Sequence, residues 1–144
     1  PYRRQRQMCI RDRDSPACLL PADITHELAH QRGIASEQEC NFLAVAASTA
    51  SDSVTYQYSG YLMGYIHLGN ALYRADREKW AEVYSILPET VVADLRYHSA
   101  YWDQFNSVVA TVSEKIYDTT LKTYGQEDGI QSYGTVVDLL VAYY

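Results

Sequence analysis

The sequence predicts an all-α domain of about seven helices, and three observations predict it. Apolar residues recur three and four positions apart along most of the chain. Alternation of period two never lasts more than a few residues, so no strand is expected. The breaks between periodic segments fall on helix-starting and helix-ending residues: Ser36, Asp76 and Pro88 on one side, Gly33 and Gly125 on the other.

Each element follows from these signals. A first helix is expected over 22–32, closed by Gly33 where a left-handed C′ residue would sit. Ser36-x-x-Glu39 reads as a capping box that opens a second helix over 37–50. Ser51-Asp52-Ser53 is a polar break before a long apolar helix over 54–75, whose glycines allow close packing. On it Tyr61, Tyr65, Leu68 and Leu72 fall at i, i+4, i+7 and i+11, a stripe expected to be core with its hydroxyls at a wet edge. Asp76 caps a short helix over 77–87 that holds Trp80 and Leu87. Pro88 starts another over 89–105, with Val91, Leu95 and Trp102 inward. A helix over 107–124 ends at Gly125, and 135–144 forms the last.

Composition narrows the function classes. With 144 residues, 47% of them hydrophobic, the chain can bury a core without disulfides. Residues 1–13 are basic, aperiodic and unlike the rest; they resemble translated sequencing-adapter read-through and are expected to be non-native. Residues 14–144 then form one domain, expected to have lost an upstream part. The formal net charge is −6; the first thirteen residues carry five Arg and one Asp, so the remainder stands at −6 − 4 = −10. That balance argues against a nucleic-acid partner. No apolar run approaches the ~20 residues of a membrane span, so the chain as it stands is expected to be soluble. Cys18 and Cys40 show no paired spacing and read as small hydrophobes.

The chemistry lies in His26-Glu27-Leu28-Ala29-His30. On a helix, positions i and i+4 share a face, so both imidazoles can reach one metal ion, and two neutral His suit Zn²⁺. Glu27 projects from the rim of that face, where a carboxylate can serve as general base. The alternative is an amphipathic helix with two surface imidazoles. The short turn after Gly33 folds the second helix back, so its first turn can offer a carboxylate as third ligand. Glu37 and Glu39 compete for that role. Glu39 already has work in the capping box and Glu37 has none, which favours Glu37. Asn41, one turn on, is the candidate to fix a ligand His from behind.

These residues carry a resemblance. His26 to Ala35, then Glu37-Gln38-Glu39-Cys40-Asn41-Phe42-Leu43-Ala44, resemble the zincin signature of a bacterial membrane-anchored family known as domain of unknown function 3810. Tyr58-Ser59-Gly60-Tyr61, Ala71 to Asp76, Asp118 to Lys122, Gly125 to Gly134 and Val137 to Leu140 continue it. Glu37-x-x-Cys40-Asn41 is also similar to the element that supplies the third zinc ligand in gluzincin-type peptidases. The resemblance implies a zinc metallopeptidase, with a membrane anchor upstream in the full-length family. Cys40 stands where the family usually has Ala, a small-for-small exchange.

Two further readings complete the expectation. Zincins commonly place a Tyr or His near the metal to stabilise the oxyanion, and Tyr133, in a Gly-rich segment that also reads as a plain turn, is the candidate here. His67 reads as a core or edge imidazole and His98 as solvated; either is a fallback third ligand. The expected function is therefore hydrolysis of a peptide or protein substrate. Zn²⁺ would be held by His26, His30 and Glu37, with Glu27 as base. The alternatives are a regulatory zinc-binding domain that binds a peptide or membrane partner without cleaving it, and a purely structural helical domain.

Overall fold

The computed structural model describes residues 16–103 and 133–144. Among these the chain is all-helical, with no strand. In order, α1 spans Leu20–Gln31, α2 Glu37–Thr49, α3 Val54–Ala75, α4 Arg77–Ser85, α5 Glu89–Asp103 and α6 Tyr133–Tyr143. The expected helix over 107–124 and the whole of 1–13 lie outside the described residues. None of the described helices is long and apolar enough to cross a membrane.

The expected starts and stops are where the local chemistry puts them. Gly33 has φ +93°, and its N–H reaches His30 O at 3.0 Å while Ile34 N–H reaches Ala29 O at 3.3 Å. Those two bonds are the Schellman pair that satisfies the last carbonyls of α1. Ser36 Oγ accepts from Glu39 N at the start of α2, and Asp76 Oδ1 accepts from Glu78 N and Lys79 N at the start of α4. A cap of the Asp76 kind is worth about 1 kcal/mol. The start of α1 has no side-chain cap of its own. Its Ala22 N–H donates instead to Ser59 Oγ on α3 at 3.0 Å, so tertiary packing satisfies a donor the local sequence leaves open.

α1, α2 and α3 form the centre, and α6 packs on α2 and α3. Leu19, Ala22, Ala44, Val45, Leu62, Met63, Val136 and Leu140 make the core. The α2–α3 contact is close because α3 presents small residues: a Cβ added to Gly60 would lie 2.8 Å from Ser48 Cβ, and one added to Gly64 would lie 3.3 Å from Val45 Cγ1. That approach corrects two expectations. The Tyr61–Tyr65–Leu68–Leu72 stripe is not the core face; Tyr61 is 61% exposed, and the residues α3 buries are Ser59, Gly60, Leu62, Met63, Gly64 and Gly69. Backbones approach closest where side chains are smallest, so the bulky stripe is turned aside. Val91 and Leu95 do pack on the core, but Trp102 is 41% exposed.

Candidate metal centre

The site is built from the α1–turn–α2 hairpin. His26 and His30, one turn apart on α1, bring their Nε2 atoms within 3.0 Å of each other. Glu37, at the first position of α2, brings Oε2 to 3.2 Å from His26 Nε2 and Oε1 to 3.5 Å from His30 Nε2. One ligand atom from each of the three lies within 4.8 Å of the others, the one such group of metal-ligating side chains among the described residues. The alternative ligand is elsewhere: Glu39 is exposed and takes no part in this cluster.

The far side of each ring is tied down. His26 Nδ1 lies 2.8 Å from Asn41 Oδ1, and His30 Nδ1 lies 2.9 Å from the Ile34 carbonyl. Acceptors at both Nδ1 atoms hold the proton there and leave the Nε2 lone pairs facing the shared point. The Schellman turn is what delivers the Ile34 carbonyl to His30, so the glycine that ends α1 also orients a candidate ligand. Nothing in the spacing of the sequence named Ile34, although Gly33 was the available signal.

Two lone pairs and a carboxylate at these separations require a positive charge between them. Burial pushes the His26 pKa down, but the hydrogen bond and charge of Glu37, the charge of Glu27 and the Asn41 contact outweigh it, and the pKa is raised. The His26 hydrogen bond and the two imidazoles hold the Glu37 carboxyl below its usual range despite burial. A tetrahedral ion with bonds of ~2.05 Å would set its donors roughly 3.3 Å apart, which the observed 3.0–3.5 Å brackets. The donor set thus fits Zn²⁺: two imidazoles and one carboxylate.

Glu27 is half-buried on the rim of this face, near enough for its charge to act on both His26 and Cys40. Cys40 is more than a small hydrophobe. It is fully buried, its Sγ sits 3.3 Å from His30 Nδ1, and the thiol donates to Ile34 O at 3.6 Å. Burial first, then the charges of Glu37, Glu27 and Glu39, push its pKa up to about 11, so it stays a thiol. It lies behind the His30 ring, on the side away from the shared point, and is no candidate ligand.

The remaining site residues fall apart from this centre. The side chain of Tyr133 lies outside the described residues, though its backbone begins α6. His67 is half-buried on α3 and makes no hydrogen bond among the described residues; burial, then the nearby His26 and His98, lower its pKa. His98 is not simply solvated: its Nε2 accepts from Trp102 Nε1 at 2.9 Å. Neither joins the three-residue cluster.

The chain belongs to the family described as "Protein of unknown function (DUF3810)", which matches residues 11–141. The match takes in the last three residues of the basic segment 1–13. No curated protein and no solved structure matches the chain. The family description states no activity, so the chemistry has to be read from the site.

Proposed function

We propose that the protein is a zinc-dependent metallopeptidase that hydrolyses a peptide or protein substrate. The observation that carries this reading is the convergence of His26, His30 and Glu37 on one point, with Glu27 near enough for its charge to act on His26. When bound there, Zn²⁺ would polarise the scissile carbonyl and lower the pKa of a water toward neutrality. The chain's own residues do the rest. Asn41 and the Ile34 carbonyl hold the imidazoles in the tautomer and orientation that present Nε2. Glu27 takes a proton from the attacking water and passes it to the leaving amine nitrogen.

A second reading, a regulatory zinc-binding domain that binds a peptide or membrane partner without cleaving it, is favoured by one observation. Zincins usually align substrate on the edge of a sheet, and the described residues contain no strand. An intact Glu27 favours hydrolysis, because a binder has no need of a base between two ligands. Glu27→Gln separates the two. Zinc should stay stoichiometric by calorimetry while cleavage of a broad peptide library is abolished, since an amide can hydrogen-bond water but cannot accept its proton. Zinc lost from that variant would make Glu27 a ligand, and unchanged cleavage would remove it from the mechanism.

A further inference from the structure

α3, α4 and α5 border an open cavity of about 520 Å³, within the range of ligand-binding clefts. Its walls are aromatic: Tyr65 from α3, Trp80 and Tyr84 from α4, and Trp102 with His98 from α5. The rings fix one another. Trp80 stacks on Tyr84 with centroids 4.9 Å apart and planes 22° from parallel, and Trp102 is hydrogen-bonded to His98. A platform assembled before the ligand arrives loses little freedom on binding.

Tyr65 contributes its ring to the wall, with its hydroxyl beneath the surface. The Tyr65 hydroxyl is shut off from solvent and has no hydrogen bond among the described residues. Its ring lies over Gly69, where an added Cβ would meet Tyr65 Cζ at 3.6 Å. An aromatic ring of a ligand would find stacking and edge partners on this platform. Arg96 and Asp103 at the wall carry opposite charges, so the cavity selects neither anion nor cation.

α3 also joins the cavity to the metal centre. Gly60 packs on Ser48 and Gly64 on Val45, so α3 runs antiparallel to α2, and one further turn brings His67 opposite Asn41. His67 lies near enough to both His26, a candidate ligand, and His98, in the cavity wall, for each to act on it, so α3 passes both sites.

We propose that this cavity is the subsite for a neutral aromatic side chain of the peptide substrate, next to the metal centre; the word substrate rests on the peptidase reading. The volume exceeds that of one ring, which leaves room for adjoining main chain. Trp80 and Trp102 are the only tryptophans in the sequence, so indole emission reports this cavity. In metal-free protein, Ac-Ala-Phe-Ala-amide should give a saturable emission change at concentrations roughly tenfold or more below those Ac-Ala-Ala-Ala-amide requires. Ser99→Leu, an exposed position that fills the cavity, should remove the preference with helicity unchanged. No saturable change, or equal binding of both peptides, overturns the cavity as an aromatic site. In zinc-loaded protein, a phenylalanine hydroxamate should outbind acetohydroxamate by at least about tenfold. Equal binding overturns its place beside the metal. Failure of zinc to bind at all would sink the peptidase reading, while the metal-free titration still decides the cavity.

Discussion

The α1–α2 hairpin and the α3–α5 cavity are two sites of opposite construction. The hairpin draws all its candidate ligands from twelve residues, His26 to Glu37, and one tight turn sets their geometry. The cavity draws on residues from Tyr65 to Asp103 across three helices, and nothing local places its rings together. The difference teaches where each site is vulnerable. The hairpin depends on individual donor atoms and on the φ of one glycine; the cavity depends on how closely α3 lies on its neighbours.

The sharpest separation of the two comes from the ligands. Glu37→Ala should lower zinc affinity by more than the 10–100-fold typical of losing a supporting contact, and Asn41→Ala should fall within that range. Glu39→Ala should change neither, as calorimetric titration would show; an effect of Glu39 equal to that of Glu37 would break the hairpin assignment. None of the three should alter the emission of Trp80 and Trp102.

Packing variants should do the reverse. In Gly60→Ala the new methyl meets Ser48 Cβ at 2.8 Å, a contact that forces the helices apart. It should cost about 1–3 kcal/mol in thermal or denaturant unfolding. Gly69→Ala meets only the Tyr65 ring, at 3.5 Å, and should be tolerated while it perturbs the cavity. Equal destabilisation by both would deny that the α2–α3 contact is the tighter one.

Acid should act on the hairpin from nearer neutrality than on the cavity, where burial lowers the pKa of His98. The raised pKa of His26 means that a proton competes with the metal from nearer neutrality than it would at a free imidazole. Below that pKa, zinc affinity should fall as pH falls, by up to about tenfold per unit for each imidazole that must deprotonate. Glu37, whose pKa is lowered, stays ionised and adds nothing to this slope until well into the acid range. Affinity that is flat from neutral pH down to the carboxylate range would remove the imidazoles from the site.

The smallest effect is expected at Gly33. At φ +93° an alanine would be strained by about 1 kcal/mol. Because the same turn carries the Ile34 carbonyl to His30, Gly33→Ala should also weaken zinc binding several-fold, linking the backbone of the turn to the metal centre.

The hairpin was legible in the sequence because each of its determinants is local. An i, i+4 pair of imidazoles, a C′ glycine and a capping serine each act within one helical turn, and helix geometry converts their spacing into direction. The same local rules located α1 to α5 to within a few residues of their ends. The choice of Glu37 over Glu39 was open to argument from the capping role, but only the angle at which α2 returns puts one carboxylate on the imidazoles and the other in solvent. The face of α3 that is buried was not legible. Period alone favoured its large stripe, whereas the fold buries Ser59, Gly60 and Gly64 because they let helices approach closest. The contact of Cys40 with His30 and the convergence of Trp80, Tyr84 and Trp102 were likewise decided by packing between segments. By itself the sequence determined the helices, their ends and the donor set of one hairpin, since those depend on neighbours along the chain. Which faces meet, and what the meeting encloses, only the tertiary structure decided, because volume is shared among residues far apart in sequence and no spacing within one helix encodes it.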